Sequence, residues 1–279
     1  MKSENPYLPK PAVVESIYVE TEDVRTIEVA LKGFKIDFKP GQFAQLLIPG
    51  VGEAPFCIAS SPRRKNRLAF SVQKRGNVTI AIHQLKIGDV IGVRAPLGNG
   101  FPIEDLKNRN VVIVATGMGI AAAKPLILYI LENRDKFEDV YVLYGARYPW
   151  NLIYRDEYDE WREHMELIIT LSRPPPNWTG HRGRVTAHFS KIPNIKEAKF
   201  IVCGAPKVIE AIVAELLGGH GVKPWNIYVS LERHMKCGIG RCARCLICGG
   251  KYVCVDGPVF NAAEIPMETL RRDRWIWSI

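Results

Sequence analysis

The sequence lacks the signatures of several common protein classes. Its 38 lysines and arginines are scattered among 29 acidic residues, and although the net charge is +9, no long basic run interleaved with aromatic residues occurs. Nucleic-acid binding is therefore not expected, and the positive charge is expected to attract phosphates or an acidic partner. The six histidines are dispersed, without a His-Glu-x-x-His motif or a nucleophile elbow. We therefore predict no catalytic acid, base or nucleophile.

A continuous membrane-spanning segment is also missing. Residues 111–130 are mostly apolar, but Lys124-Pro125 and two glycines interrupt them, so a buried strand, a turn and a helix are expected instead of a membrane span. Residues 1–10 are polar and contain proline, unlike a signal peptide, which predicts a cytoplasmic protein. With 47% apolar and 24% charged residues and no internal repeat, the composition is that of a globular protein.

The chain has two parts with different sequence patterns. Short alternating segments separated by Gly, Pro or Asp turns predict a small antiparallel β-barrel, with strands at 12–19, 24–30, 43–48, 68–72 and 90–94 and one helix at 78–85. Continuous apolar strands then alternate with helices, with strands at 111–115, 140–144, 167–171 and 200–203 and helices at 120–130, 156–164 and 206–217. This alternation predicts a Rossmann-like parallel sheet covered on both faces. The predicted domains are 1–106, 107–230 and 231–279.

Five of the seven cysteines lie in one short segment: Cys237, Cys242, Cys245, Cys248 and Cys254. The first three have the C-x4-C-x2-C spacing with which plant-type ferredoxins bind a 2Fe–2S cluster. Disulfides would need an oxidising compartment, and a 4Fe–4S site on the middle three lacks the Cys-Pro that should follow. Structural zinc stays an alternative, although only one clear C-x2-C pair is present. The spacing favours Cys254 as the fourth ligand, so Cys248 is not expected to be a ligand.

Two glycine turns are candidate phosphate sites. Thr116-Gly-Met-Gly119 lies between a buried strand and a helix, where glycines let the backbone approach a pyrophosphate and the helix N-terminus offers amides. A tight turn without a ligand remains possible, because Ala122 replaces the third glycine of the G-x-G-x-x-G motif. Residues 72–79 form a second strand, glycine turn and helix, for which an ordinary helix start capped by Asn77 is the alternative.

The barrel, the nucleotide domain and the terminal cysteine loop, in this order, resemble the ferredoxin–NADP reductase superfamily. Within it, the chain is most similar to the iron–sulfur branch: the NAD(P)H-oxidising gamma subunits of soluble archaeal hydrogenases (sulfhydrogenases). The corresponding subunit of anaerobic sulfite reductase and the electron-transfer subunit of dihydroorotate dehydrogenase are kin of this branch. The resemblance covers essentially the whole chain, from Pro40-Gly-Gln-Phe43 to Asp256-Gly-Pro-Val-Phe260. Its most specific part is residues 231–245.

The resemblance implies the following binding residues. FAD would be held by a flavin-ring strand and a phosphate turn: Pro55, Phe56, Cys57 and Ile58, then Val72, Gln73, Lys74, Asn77, Val78 and Thr79. NAD(P) would be held by a pyrophosphate turn, a nicotinamide turn and a 2′-phosphate site: Gly117 and Gly119, Cys203 and Gly204, then Arg147, Ser172 and Arg173. Arginines at the last site favour NADP over NAD. Two departures, Ala54 for an arginine and Cys57 for a serine, imply an altered flavin affinity or potential.

The resemblance also implies a function. Hydride would pass from NAD(P)H to FAD between the two domains, and single electrons would continue to the cluster. The terminal reaction would belong to catalytic and iron–sulfur subunits of a hetero-oligomer, docked over the cysteine loop and the tail at 271–279, which is rich in Arg and Trp. The alternatives are an electron-transfer subunit of a ferredoxin–NADP transhydrogenase, dihydroorotate dehydrogenase or sulfite reductase, and a flavin-free, zinc-binding regulatory subunit.

Overall fold

The computed structural model describes residues 5–271. Six antiparallel strands form the first half of the molecule. The strands are β1 (Lys10–Val19), β2 (Val24–Ala30), β3 (Phe43–Ile48), β4 (Gly52–Cys57), β5 (Arg67–Gln73) and β6 (Val90–Leu97), in the order β4-β3-β6-β1-β2-β5. Just beyond β4, the Ala59 N–H donates to the Ala69 carbonyl of β5 at 2.8 Å, which brings the two ends of the sheet together. The predicted barrel is confirmed.

Side-chain alternation gives the barrel its core. On β5, Leu68, Phe70 and Val72 are fully buried inside the barrel, because successive side chains of a strand point to opposite faces. Helix α1 (Asn77–Ile82) packs Ile82 into the same core. The outward face of β5 is covered by the second domain, as the contacts of Ser71 described below show.

The second half is a seven-stranded sheet, parallel except for its last strand. Its strands are β7 (Val111–Thr116), β8 (Val140–Ala146), β9 (Glu166–Leu171), β10 (His181–Arg182), β11 (Lys199–Cys203), β12 (Ile227–Ser230) and β13 (Val259–Asn261), in the order β10-β9-β8-β7-β11-β12-β13. The helices are α2 (Ile103–Leu106), α3 (Gly119–Leu131), α4 (Tyr158–His164), α5 (Pro206–Ala214) and α6 (Met267–Arg271). The predicted Rossmann-like sheet is confirmed.

Several elements differ from the sequence-based expectation. The short strands β4, β10, β12 and β13 were not predicted as alternating or apolar runs, and α5 passes into a π-helical turn (Glu215–Gly219). Strand β13 comes from the cysteine-rich segment but pairs antiparallel with β12 of the nucleotide domain. The predicted tail anchor at 272–279 lies outside the described residues. Within the part of the chain that is described, no helix is long and apolar enough to cross a membrane.

Candidate cofactor-binding sites

The predicted flavin-ring residues lie on β4, at the end of the sheet order. Strand β4 pairs with β3 on one edge, and no strand of the described chain pairs with its other edge. Pro55, Phe56 and Cys57 are half-buried, whereas Ile58 is fully buried in the barrel core. The free edge leaves backbone N–H and C=O groups that need partners, which fits the polar edge of a flavin ring. Ile58 can contribute only backbone atoms.

The second predicted part of the FAD site is the turn that opens α1. The Thr79 hydroxyl accepts the N–H groups of Arg75 and Gly76, both at 2.8 Å, and donates to the Gly76 carbonyl at 2.8 Å. These three bonds fix the turn. A Cβ on Gly52, at the start of β4, would lie 3.5 Å from Cγ2 of Val78. The ring strand and the phosphate turn, predicted from separate motifs, are therefore neighbours.

The remaining predicted FAD contacts differ in what they can offer. Val72 is fully buried in the barrel core, and the Gln73 amide donates to Asp23 Oδ2 at 2.6 Å. Lys74 and Asn77 are exposed, and their side chains have no hydrogen-bond partner among residues 5–271. Of this set, Lys74 and Asn77 are the side chains left available to a phosphate.

The predicted nucleotide turns meet at the point where the strand order reverses. Strand β7 has β8 on one side and β11 on the other, and ligands of such sheets bind outside the carboxyl ends of these strands. A Cβ on Gly119 would lie 2.5 Å from the Cys203 carbonyl carbon and 2.6 Å from the Gly204 nitrogen. Gly117, at φ +52°, would meet no atom within 4 Å. Gly119 therefore serves close packing, and Gly117 leaves open space for a pyrophosphate.

Two thiols, the half-buried Cys57 and the buried Cys203, connect the flavin strand with the nucleotide crevice. Burial, and after it the charge of Glu232, raises the pKa of Cys57 to about 12. Burial, and after it the charges of Cys57 and Glu232, raises the pKa of Cys203. Both thiols are therefore protonated at neutral pH, and they are weak hydrogen-bond donors instead of nucleophiles. Sequence analysis missed Glu232, although it lies inside the motif at 231–245.

The residues predicted to hold a 2′-phosphate are adjacent. Ser172 and Arg173 follow β9, Arg147 follows β8, and the Arg173 N–H donates to the Arg147 carbonyl at 3.0 Å. All three side chains are exposed, and neither guanidinium has an ion-pair or hydrogen-bond partner among residues 5–271. Two unpaired arginines at the carboxyl ends of neighbouring parallel strands can receive a dianion.

A hydrogen-bonded contact holds the two domains in register. The buried Tyr154 hydroxyl is hydrogen-bonded to the Ser71 hydroxyl of β5. The backbone N–H of Tyr154 donates to Glu20 Oε2 at 2.8 Å. The other Glu20 oxygen accepts the Thr26 hydroxyl at 2.7 Å. The Lys124 ammonium of α3 lies 3.9 Å from the centre of the Tyr154 ring. Since α3 begins at the pyrophosphate turn, this contact relates the turn to the barrel.

The cysteine loop brings four thiols together in two pairs. The Cys242 N–H donates to Cys237 Sγ at 3.4 Å, and the Cys254 N–H donates to Cys245 Sγ at 3.5 Å. The two pairs interact through Cys237 and Cys254. Cys248 is half-buried, and its thiol has no hydrogen bond to these four within residues 5–271. Hydrogen bonds therefore link the four predicted ligands in two pairs, and the assignment of these four to a cluster stays a prediction.

Backbone amides point at the paired sulfurs. Gly240 N–H donates to Cys254 Sγ at 3.2 Å, and Arg241 N–H donates to Cys237 Sγ at 3.3 Å. Burial works to raise the pKa of Cys237, but the N–H groups of Ile239, Cys242 and Arg241 outweigh it and lower the pKa to about 7. Burial and the neighbouring Cys245 thiol raise the pKa of Cys254 to about 12. Assembly of a thiolate-bound cluster would therefore release protons.

The paired thiols are compatible with a two-iron cluster, in which two thiolates bind each iron. A tetrahedral zinc ion needs four ligands around one point, whereas each iron of a 2Fe–2S cluster takes two of the four thiolates. Two thiol pairs, with N–H donors directed at their sulfurs, match the second requirement.

Sequence analysis missed the residues that attach this loop to the barrel. Arg94 on β6 donates to the Cys237 carbonyl at 3.0 Å and holds Glu53 of β4. Gln45 on β3 donates to the Lys236 carbonyl at 3.3 Å. An arginine within the apolar strand 90–97 is the available sequence signal, but nothing in the sequence relates it to a cysteine 143 positions away.

Three family sequence models match the chain in the order of its structural parts. Those described as "Oxidoreductase FAD-binding domain", "Oxidoreductase NAD-binding domain" and "Iron-sulfur cluster binding domain of dihydroorotate dehydrogenase B" match residues 11–101, 113–214 and 232–266. The first range coincides with the barrel, the second runs from β7 to α5, and the third contains the cysteine loop.

Similar proteins extend over nearly the full length. Sulfhydrogenase 1 subunit gamma of Pyrococcus furiosus is 36% identical over 278 residues, covering 95% of this chain and 94% of that protein. A probable dihydroorotate dehydrogenase B (NAD(+)) electron transfer subunit of Methanocaldococcus jannaschii is 37% identical over 258 residues, covering 90% of each. A solved structure of an NADH-dependent reduced ferredoxin–NADP oxidoreductase aligns with a TM-score of 0.75 at 26% identity, covering 98% of this chain and 94% of that chain.

Proposed function

Because this chain belongs to the family of electron-transfer subunits that includes those of sulfhydrogenase and of dihydroorotate dehydrogenase B, we propose that it serves an NADP-linked hydrogenase complex. The chain is an NAD(P)H-dependent oxidoreductase with FAD, a nicotinamide nucleotide and an iron–sulfur cluster as its cofactors. One observation carries the proposal. Strand β4 meets the nucleotide crevice through Cys57 and the cysteine loop through Glu53 and Arg94. A flavin on β4 would therefore lie between an electron entrance and an electron exit.

The assignment of ligands belongs to this proposal. The ring strand and phosphate turn at 55–58 and 72–79 hold FAD, and Gly117, Cys203 and Gly204 hold the nicotinamide nucleotide. Cys237, Cys242, Cys245 and Cys254 hold a 2Fe–2S cluster, with Cys248 outside it. The domain limits at 106/107 and 230/231 stay a prediction. A thiolate-bound cluster is suited to a reducing compartment, so we place the chain in the cytoplasm.

The chain's own residues align its cofactors and supply no acid or base. When bound, FAD exchanges a hydride for single electrons and the cluster carries single electrons, so together they connect a two-electron donor with a one-electron acceptor. Cys57 and Cys203 retain their protons at neutral pH, and they line the junction of flavin and nicotinamide as small, weakly polar groups. Tyr154 and Ser71 hold the domains in register.

The partner is proposed to dock on the rim of the cysteine loop. This rim consists of the exposed residues 241–244 together with Leu246 and Val255, which are 48% and 50% exposed. The side chains of Arg241 and Arg244 have no carboxylate partner among residues 5–271. Exposed apolar side chains beside unpaired arginines fit an acidic partner surface with an apolar centre. Electrons would leave through this rim, since Cys242 is the exposed member of the four thiols.

Capture of the native complex tests the function directly. A tagged chain is expected to copurify with subunits that oxidise hydrogen when a viologen dye is supplied as the electron acceptor. The relative from Methanocaldococcus jannaschii favours a second candidate, an electron-transfer subunit for dihydroorotate oxidation. Copurification of a dihydroorotate-oxidising partner would replace the hydrogenase assignment, and a chain without flavin and iron would overturn the electron-transfer role itself.

Charge reversal tests the docking surface. Arg241→Glu with Arg244→Glu is expected to leave NADPH-dependent dye reduction by the isolated chain unchanged and to lower its affinity for the partner at least tenfold, about 1.4 kcal/mol. Lys32→Glu with Lys86→Glu is the matched control, with the same charge change on two exposed lysines. These lysines lie at the end of the barrel where β6 begins, whereas the cysteine loop touches the other end of β6, at Leu97. Equal effects of both pairs would contradict the proposed rim.

NADPH is expected to bind more tightly than NADH, because Arg147 and Arg173 are positioned for the 2′-phosphate. A hydrogen bond to a charged group contributes about 1.5–3 kcal/mol, so replacing both arginines by alanine should weaken NADPH binding by about 10–100-fold. NADH binding should change by less than about threefold, because it lacks the phosphate. Titration of both nucleotides by fluorescence or calorimetry measures this. The control is Arg109→Ala. Arg109 is exposed and lies just before β7, at the amino ends of the parallel strands and therefore opposite to the proposed nucleotide site. Equal weakening of NADPH and NADH would refute the assignment.

A further inference from the structure

A buried arginine joins the flavin strand to the cysteine loop. Arg94 is 6% exposed, and its Nε and Nη2 donate to the two carboxylate oxygens of Glu53 at 2.6 and 2.8 Å. The remaining nitrogen, Nη1, donates to the carbonyls of Cys237 and Pro6, each at 3.0 Å. One side chain thereby contacts β4, two residues from Pro55, and the backbone of a proposed cluster ligand.

A second buried side chain of the barrel makes a parallel contact. Gln45 is fully buried, and its amide donates to the Lys236 carbonyl at 3.3 Å. A Cβ on Gly238 would lie 3.0 Å from Leu97 Cδ1 and 3.4 Å from Gln45 Cγ. Gln45 pairs with Arg94 across the β3–β6 ladder and with Pro55 across the β3–β4 ladder. The start of the cysteine loop is therefore fitted onto two adjacent barrel strands, β3 and β6.

We propose that Arg94 is a positioning residue that fixes the cysteine loop against the flavin strand and raises the reduction potential of the cluster. The proposal rests on the function proposed above. In the step concerned, one electron would pass from the reduced flavin to the oxidised cluster when both groups are bound, and Arg94 would neither gain nor lose a proton or a covalent bond. Its guanidinium is always charged and directed at the cluster loop, and a positive charge there favours the state with the added electron.

The Glu53 carboxylate determines the sign of each test. Glu53 binds the side of the guanidinium that is turned away from Cys237, so it partly cancels the field at the loop. Glu53→Gln removes this negative charge and keeps the bond to Cys237. Arg94→Met with Glu53→Gln removes both charges at similar volume and leaves no unpaired buried charge. The first variant should make the potential more positive, and the second should make it more negative.

The midpoint potential of the cluster, measured by spectroscopic titration of the loaded protein, is the first readout. Glu53→Gln is expected to shift the equilibrium between oxidised and reduced cluster about tenfold toward the reduced form, which raises the midpoint potential by about 59 mV. The double variant is expected to shift the same equilibrium about threefold toward the oxidised form. Arg67→Met with Glu15→Gln is the matched control, since this pair, at 2.6 Å, lies at the barrel surface. The control should not move the potential.

Trypsin cleavage of the cluster-free protein is the second readout. Lys236 is exposed and directly precedes the residue whose carbonyl Arg94 holds, so the double variant should be cut after Lys236 at least about fivefold faster than the wild type. Glu53→Gln should not change this rate. Shifts of the same sign in both variants, no shift in Glu53→Gln, or unchanged cleavage in the double variant would overturn the inference. A wild type that binds neither flavin nor iron would instead overturn the proposed function.

Discussion

Cys254→Ser is expected to leave the chain without its cluster, so that iron falls from about two atoms per chain to near zero. Cys254 is buried, its N–H donates to Cys245 Sγ at 3.5 Å, and its Sγ accepts the Gly240 N–H at 3.2 Å, so no other thiol of the loop can take its place without moving the backbone. Iron analysis and the visible absorption of the reconstituted protein measure the loss. The FAD absorption should persist, because the barrel does not depend on Cys254.

Cys248→Ser is the matched control for this experiment. Cys248 lies three residues after Cys245 and is proposed to stay outside the cluster, so its replacement should keep the full iron content and spectrum. Retained cluster in Cys254→Ser together with its loss in Cys248→Ser would show that the ligand set is wrong. A colourless wild type that binds one zinc ion would favour the structural-zinc alternative and with it a regulatory role.

Local patterns predicted the fold where apolar periodicity is strong. The bounds of β2 and β3 agree with the predicted segments at 24–30 and 43–48. Strand β4 was missed as a strand by pattern alone, because it carries a proline and its residues are all half-buried, without an alternating face. Strands β12 and β13 have four and three residues, which is too short for a periodic signal.

The site was predictable as separate motifs but not as an assembly. The cysteine spacing predicts four ligands within 18 residues, and this ligand set stays a prediction. The contacts that place these motifs relative to one another join distant positions: Arg94 with Cys237, and Ser71 with Tyr154. Such contacts depend on how the domains pack, and a single sequence contains no periodic record of packing between domains.

The role of each glycine also needed the structure. Sequence reasoning gave Gly117 and Gly119 the same task at the pyrophosphate, since both belong to one turn. The space around them separates their tasks, because Gly119 packs against the end of β11 and Gly117 faces open space. Substituting each glycine by alanine should therefore give two different defects.

Gly119→Ala is expected to destabilise the protein by about 3 kcal/mol, at the upper end of the cost of overpacking. The added Cβ would lie 2.5 Å from the carbonyl carbon of Cys203 and 2.6 Å from the nitrogen of Gly204. Backbone atoms at the end of β11 cannot rotate away as a side chain could, so α3 and β11 must separate. Denaturant unfolding followed by circular dichroism measures the loss of stability, and NADPH titration should show weakened binding because both nucleotide turns are displaced together.

Gly117→Ala provides the opposite pattern. Its added Cβ meets no atom within 4 Å, so the stability cost is limited to the positive φ of +52°, about 1–2 kcal/mol for a left-handed residue. The methyl group would occupy the open space where the pyrophosphate is proposed to lie, so NADPH affinity should fall at least about tenfold, or 1.4 kcal/mol. A Gly117→Ala protein that binds NADPH like the wild type would place the pyrophosphate elsewhere. Equal stability of the two variants would show that the end of β11 yields to a side chain at position 119, and close packing would then not explain Gly119.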